Sequence, residues 1–118
     1  NLKNIIDKNY KKFITNNSYF YHFAWGGKDN LSDMKVKSQL KNVIWTNDAL
    51  NVSEEIGIKK FIFVGTMEED FTKKYLNLNY KEDSFYNRHV IYALAKLAAR
   101  KTLKASFNQK KNQNYFCY

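Results

Sequence analysis

The sequence has no proline, four glycines, one cysteine, two histidines and two arginines. A single cysteine, Cys117, cannot form an internal disulfide, which favours a reducing, cytoplasmic compartment. His22 and His89 have no spacing typical of metal ligands, so no metal site is predicted. The apolar runs at residues 19–27 and 58–66 are shorter than the roughly 20 residues of a membrane-spanning helix, so no membrane association is predicted. The scarcity of glycine and proline predicts an excerpt of a larger protein whose turn-rich portions lie elsewhere.

Lysine dominates the charged residues. Of the 20 basic residues all but two are lysines spread along the chain, and against 11 acidic residues they give a formal charge of +9. Arg88 and Arg100 are the only arginines, although recognition of bases and phosphates favours the forked guanidinium group. This distribution favours a solvated basic surface, and no nucleic-acid partner is predicted.

The first half of the chain predicts a strand and a helix. Its length of 118 residues and hydrophobic share of 44% suit one globular domain. An aromatic run predicts a buried strand at about residues 19–25. Capping residues at positions 31–33 begin a predicted helix over about residues 33–56, which Gly57 ends as a left-handed cap. Apolar side chains recur along this helix at Val36, Leu40, Val43, Ile44 and Leu50.

The second half repeats the alternation. A near-continuous apolar segment predicts a strand at about residues 59–66, covered on both faces. Residues 67–87 lack a clear period and predict a surface excursion with a short helical turn near residues 68–75. A second helix is predicted over about residues 87–108, and residues 114–118 have the pattern of another strand. The face predicted to pack on this second helix consists of Ile91, Leu94, Ala95, Ala98 and Thr102.

The order strand, helix, strand, helix, strand predicts an α/β fold with a parallel sheet and helices on its faces. Ligands of such sheets bind outside the carboxyl ends of the strands, which directs attention to residues 23–27, residues 65–69 and the start of the second helix. Tyr92 and Lys96 lie there at a spacing of four residues, on one helical face. A lysine beside a phenol lowers its pKa, which suits proton transfer at a carbonyl or an alcohol.

Four segments together resemble the extended branch of the short-chain dehydrogenase/reductase superfamily, the NAD(P)-dependent nucleotide-sugar epimerases and dehydratases. Residues 21–25, Tyr-His-Phe-Ala-Trp, resemble the fourth strand of that family, which ends in a His-x-Ala pattern. Asn42-Val43 resembles a pair in its next helix. Residues 61–66 resemble its fifth strand, which ends at a catalytic serine or threonine. Residues 92–96, Tyr-Ala-Leu-Ala-Lys, resemble its Tyr-x-x-x-Lys helix.

This resemblance implies roles for the matching residues. Tyr92 would be the general acid/base, Lys96 would lower its pKa and hold the nicotinamide ribose, and Thr66 would hydrogen-bond the reacting oxygen of the sugar. The cofactor would be NAD or NADP, lined by the backbone of Ala24, Trp25 and Gly26 and contacted by Tyr92 and Lys96. The substrate would be a nucleotide sugar, the outcome epimerisation, dehydration or reduction, and the full-length enzyme a homodimer.

The sequence departs from the family in two ways. Where the dehydratases have Thr-Asp-Glu or Thr-Ser-Glu, this chain has Thr66-Met67-Glu68: Glu68 would match the dehydratase base, but Met67 cannot replace the acid, so the sequence favours epimerases or keto reductases. The chain also lacks the family's glycine-rich phosphate turn and its substrate domain. Residues 1–118 are therefore expected to be the central part of one Rossmann-like domain, a fragment of a larger doubly wound sheet with little activity by itself. The alternative is a non-catalytic remnant of the same fold that holds no cofactor.

Four further side chains received structural interpretations. Glu68 and Glu69 have the pattern of a solvated acid pair beside a loop. His22 has the pattern of a histidine satisfied within the sheet rather than a catalytic base. The resemblance implies that Asn42 is structural or part of a proton relay, and the structural alternative is a buried amide that ties helix to strand.

Overall fold

Strand β1 (Tyr19–His22), helix α2 (Val36–Glu55) and strand β2 (Lys60–Phe63) form the centre of the fold. The computed structural model describes residues 2–27, 35–77 and 89–110. The two strands pair in parallel, beginning with Tyr19 opposite Lys60. Parallel strands need a long crossover between them, and α2 lies within that connection. This arrangement confirms the predicted α/β class and the predicted parallel pairing.

The remaining elements flank this unit. Helix α1 (Leu2–Asn9), for which the sequence pattern gave no prediction, precedes β1. A 3₁₀ turn (Met67–Phe71) continues directly into helix α3 (Thr72–Asn77), where only a short helical turn was predicted. Helix α4 (Val90–Gln109) packs against α2 and also contacts the 3₁₀ turn and α3.

The two strands are shorter than the sequence pattern predicts. Strand β1 ends at His22 rather than near residue 25, and β2 ends at Phe63 rather than near residue 66. Beyond the paired residues, Trp25 packs against Tyr92 of α4, and the backbone oxygen of Val64 accepts from Lys96 of α4. Gly57 follows α2 with a φ of 79° and its amide donates to Glu54, which confirms the predicted left-handed cap. The predicted capping residues 31–33 and the predicted strand 114–118 lie outside the described residues.

Each strand has a more buried and a less buried face, so the expected complete burial of β2 on both faces is found on one face only. In β1 only His22 is buried, while Tyr19 and Tyr21 are exposed. In β2 Phe61 and Phe63 are buried and the other two side chains are half-buried. The buried sides face the helices and the aromatic side chains stack across the register, as the period of two in a strand requires.

Helix α2 turns a largely polar face toward the core, and the apolar face predicted for it is confirmed only in part. Leu50 is buried and Val43 packs against the core, whereas Val36, Leu40 and Ile44 are each at least half exposed. The buried side chains of α2 are Gln39, Asn42, Thr46, Ala49, Leu50 and Ser53. Burial of these polar groups is tolerated because they form hydrogen bonds with neighbouring strands, loops or the helix backbone.

Helix α4 meets α2 through small side chains, as its many alanines predicted, but on a different face. Ala93 and Ala99 are completely buried, and of the five residues predicted for the face only Ala95 is buried. Small side chains allow close packing of the two helices. The core that results consists of Ala49, Leu50, Phe61, Phe63, Ala99 and Leu103, with Phe20, Trp25 and Val43 packed against it.

Candidate active site

Four side chains meet beyond the carboxyl ends of the two strands. We call Trp25, Thr66, Tyr92 and Lys96 the Tyr92 cluster. Trp25 follows β1, Thr66 follows β2, and the other two lie one turn apart near the start of α4. The rings of Trp25 and Tyr92 pack edge to face with centroids 6.1 Å apart. The structure thus brings together the three places that the topology predicted.

The phenol of Tyr92 has a partner in Thr66. Burial raises the pKa of Tyr92 above its usual value, a hydrogen bond with Thr66 acts in the opposite direction, and the carboxylates of Glu68 and Glu69 raise the pKa further. The predicted lowering of this pKa is therefore wrong in direction. The physical reason is that removing the phenolate from water costs more free energy than the hydrogen bond with Thr66 contributes to stabilising it.

Lys96 is buried and directs its ammonium group into the cluster. Its Nζ donates to the backbone oxygen of Val64, 3.0 Å away, just beyond the end of β2. The ammonium also lies 4.3 Å from the ring centroid of Trp25 and 4.9 Å from that of Phe63. Burial lowers the pKa of Lys96, and the negative charge of Glu69 partly opposes this effect. Its ammonium therefore interacts mainly with a carbonyl dipole and aromatic faces.

Helix α2 fixes the loop that follows β1. The indole nitrogen of Trp25 donates to Gln39 Oε1 at 2.9 Å. Gly26 forms two hydrogen bonds with Asn42, since its amide donates to Oδ1 at 2.8 Å and its carbonyl accepts from Nδ2 at 2.6 Å. A Cβ at Gly26 would lie 3.3 Å from Asn42 Oδ1, so this close approach favours glycine. The interpretation of Asn42 as a tie between helix and strand end is confirmed.

Gln39 is a site residue that the sequence interpretation missed. It is only 2% exposed, and its amide oxygen accepts from the indole of Trp25 and so orients that ring. The Lys96 ammonium lies over the face of the same ring. The available signal was the spacing of Gln39, Asn42 and Thr46, which repeats at three and four residues and therefore marks one helical face.

His22 belongs to the structural part of the sheet. Its Nε2 lies 3.1 Å from the hydroxyl of Thr46, and that hydroxyl donates to Asn42 O at 2.8 Å. The hydroxyl proton is thereby used, so His22 Nε2 is the donor. Burial lowers the pKa of His22, and the charge of Lys96 adds to the effect. A neutral histidine with a satisfied nitrogen confirms the structural interpretation.

Glu68 and Glu69 are not a solvated pair. The Glu68 side chain is 14% exposed, and its Oε2 accepts from the hydroxyl of Tyr75 and lies 3.3 Å from His89 Nδ1. The Glu69 side chain is 2% exposed and forms an ion pair with Arg100. The earlier expectation is wrong because the 3₁₀ turn folds back onto α3 and α4, which bury both carboxylates.

The structure distributes the predicted cofactor-lining residues over two surfaces. Trp25 lies in the Tyr92 cluster, whereas Gly26 is exposed and held by α2. Ala24 is exposed and lines a cavity of about 840 Å³ beside α1 and α2, together with Phe23 and Trp45. A second cavity of about 480 Å³ lies at the end of β2 and is lined by residues that include Thr66, Met67, Glu69 and Arg100.

The Tyr92 cluster combines a phenolic proton, a hydroxyl and a cation at one edge of the fold. A neutral phenol hydrogen-bonded to a hydroxyl can donate a proton to a developing alkoxide. Of the groups predicted to hold a nicotinamide, the Lys96 ammonium and Trp25 lie together in the Tyr92 cluster, whereas the amide and carbonyl of Gly26 are already bonded to Asn42.

A scan against protein-family models, a search of curated proteins and a search of solved structures found no match to this chain. Within residues 2–27, 35–77 and 89–110, no helix combines the length and the apolar character needed to cross a bilayer. Over the same ranges, no group of three or more His, Cys, Asp or Glu side chains has a metal-binding arrangement.

Proposed function

We propose that this chain is the central, proton-transferring segment of an NAD(P)-dependent enzyme that acts on a nucleotide sugar. The observation that carries the proposal is the meeting of Thr66, Tyr92 and Lys96 beyond the ends of two parallel strands. The resemblance to the extended short-chain dehydrogenase/reductases assigns proton transfer to these positions. A parallel α/β sheet with this site at its carboxyl edge supports a Rossmann-like domain, of which residues 1–118 would be the middle part.

Tyr92 acts in its neutral form as the proton donor. When a hydride reaches the carbonyl carbon of a keto sugar, the carbonyl oxygen takes the phenolic proton and becomes a hydroxyl, and Tyr92 becomes a phenolate that solvent reprotonates. The raised pKa of Tyr92 keeps the phenol protonated before the step, which favours the direction of carbonyl reduction. Thr66 shares the hydrogen bond and orients the reacting oxygen.

A bound nicotinamide, as NAD or NADP, would supply or accept the hydride. Lys96 would hold its ribose through the ammonium that now lies over Trp25, and the backbone at Ala24, Trp25 and Gly26 would approach its amide. The sequence contains no glycine-rich phosphate turn, so we expect the 118 residues alone to bind the cofactor weakly and to show little activity.

Reduction or epimerisation is the favoured outcome. Met67 offers no acid next to Thr66, and the Glu68 carboxylate already accepts from Tyr75 and contacts His89. A dehydratase needs both an additional acid and a base that is free to take a proton from carbon. These contacts support an epimerase or keto reductase over a dehydratase.

Turnover of nucleotide sugars tests the proposal. The chain is expressed within its native open reading frame and assayed with NAD, NADP and a panel of nucleotide sugars. We expect Tyr92→Phe to lower kcat by roughly 10²- to 10⁴-fold, because the phenyl ring keeps the packing on Trp25 and loses the proton. Tyr21→Phe is the matched control, since Tyr21 is exposed on β1 and should leave kcat unchanged. Equal rates for wild type and Tyr92→Phe would refute the role, and a wild type without turnover would favour the non-catalytic remnant.

The enzyme is also proposed to be a homodimer. Val36, Leu40, Ile44 and Trp45 leave one side of α2 apolar and at least half exposed, and such a surface favours association. Sedimentation equilibrium should give twice the chain mass for the wild type and the single mass for Ile44→Lys. Monomeric wild-type protein at micromolar concentration would refute this part of the proposal.

A further inference from the structure

Glu69 joins the loop that carries Thr66 to the helix that carries Tyr92. Its Oε1 accepts from the backbone amide of Thr66 at 3.0 Å. Its Oε2 lies 2.5 Å from Arg100 Nε in an ion pair. Arg100 follows Tyr92 by eight residues and Lys96 by four, so all three lie along one side of α4. One carboxylate therefore contacts both halves of the Tyr92 cluster.

The contact with Arg100 exceeds what a helix cap requires. Glu69 and Thr66 form a capping box around the 3₁₀ turn, which uses only one oxygen of Glu69 and is satisfied locally. Burying a carboxylate is costly, and here the side chain is 2% exposed and its second oxygen is directed at α4. Because a glutamine could supply the same cap, the ion pair is the feature that needs an explanation beyond capping.

We propose that Glu69 is a positioning residue of the Tyr92 cluster: it holds the Thr66 backbone against α4 so that the Thr66 hydroxyl meets the Tyr92 phenol. The effect of Glu69 on catalysis rests on the proposed function, since the rate of proton transfer would depend on this geometry. Glu69 also acts by its charge, because it raises the pKa values of both Tyr92 and Lys96. Its removal would therefore alter geometry and electrostatics together, and the test must separate the two.

The test measures the coupling between Thr66 and Tyr92 rather than either residue alone. The chain is labelled with fluorotyrosine, whose phenol ionises at lower pH than that of tyrosine, and the Tyr92 signal is assigned in ¹⁹F spectra as the one missing from Tyr92→Phe. Replacing Thr66 by valine removes the hydroxyl partner and should raise the Tyr92 pKa in the wild-type background. The size of this shift reports how well the hydroxyl meets the phenol.

The same shift is then measured in Glu69→Gln, Arg100→Gln and Glu54→Gln. Loss of the Glu69 charge changes the Tyr92 pKa of that background. This change cancels when the Tyr92 pKa is compared with and without the Thr66 hydroxyl in the same background. We expect the Thr66→Val shift to fall to less than half in the first two backgrounds. Glu54→Gln is the matched control, because Glu54 also pairs with a cation, Lys110, directly after the end of α4, and should leave the shift unchanged.

An equal Thr66→Val shift in all backgrounds would overturn the inference. If either single variant fails to fold, the double variant Glu69→Gln/Arg100→Gln decides, because it leaves no buried carboxylate without its partner. The coupling is measured without substrate or cofactor, so it stands apart from the turnover assay. Active enzyme that loses turnover in Tyr92→Phe but keeps the coupling in Arg100→Gln would refute only the role of Glu69. Lost coupling in a protein without turnover would refute only the proposed function.

Discussion

Replacing Asn42 by alanine should detach the loop after β1 from helix α2. The side chain is 2% exposed and forms two hydrogen bonds with Gly26, of 2.8 and 2.6 Å. At about 1 kcal/mol of net stabilisation for each bond, the loss in the free energy of unfolding is about 2 kcal/mol. Gly26 is exposed, so water satisfies its amide and carbonyl in the variant and the loss does not rise further.

Urea unfolding followed by circular dichroism measures this loss. Asn47→Ala is the matched control, because the same substitution on the same helix removes two hydrogen bonds, to Val43 O and to the exposed hydroxyl of Thr102. Water replaces these contacts readily, and we expect a loss of no more than about 0.5 kcal/mol. Equal losses for Asn42→Ala and Asn47→Ala would refute the argument that the Gly26 contacts are the stronger tie.

The Asn42 variant should also change the surroundings of Trp25. In a Trp45→Phe background Trp25 is the remaining tryptophan, and its fluorescence reports the loop. We expect emission at longer wavelength in Asn42→Ala, because the indole gains contact with water when Gly26 is released. Unchanged emission together with lowered stability would mean that Gln39 alone holds the indole in place.

Three further predictions concern the core, acid stability and the α2 cap. Phe63→Ala should cost about 3–5 kcal/mol because Phe63 is 1% exposed, whereas Phe23→Ala, at a side chain 69% exposed, should change the free energy of unfolding by less than about 0.5 kcal/mol in the same urea experiment. Burial lowers the pKa of His22, so its contribution to stability is complete above the unfolded pKa of about 6.5 and is lost as the pH falls below that value. The urea midpoint of the wild type should therefore be lower at about pH 5 than at about pH 7, and His22→Gln should show a smaller decrease. Gly57→Ala should lower stability by about 1 kcal/mol because φ is 79° there, and an unchanged melting temperature would contradict the strain argument.

The sequence predicts which residues meet beyond the strand ends better than it predicts the packing of the helices. The α/β order and the residues beyond each strand follow from local patterns, since strand ends in a parallel sheet meet at one edge. Those patterns were sufficient to predict that Trp25, Thr66, Tyr92 and Lys96 lie close together. The chemistry assigned to them depends on the family resemblance and stays a prediction.

The faces of the helices were not predictable from hydrophobicity alone. Helix α2 buries Gln39 and Asn42 while Leu40 is half exposed, because the polar groups find hydrogen-bond partners at the end of β1. A pattern of apolar residues cannot reveal partners that come from another part of the chain. Glu69 was mistaken for a solvated acid for the same reason, since its partner Arg100 lies 31 positions later in the sequence.

Single-turnover spectroscopy tests the central proposal most directly. The protein, expressed within its native open reading frame and in excess over substrate, is mixed either with a keto nucleotide sugar and reduced NAD(P) or with a nucleotide sugar and oxidised NAD(P), while the near-ultraviolet absorbance of reduced nicotinamide is recorded. We predict a change in this absorbance for the wild type that is slowed by roughly 10²- to 10⁴-fold in Tyr92→Phe. A wild type and a Tyr92→Phe variant that change absorbance at the same rate would contradict the assignment of proton transfer to Tyr92.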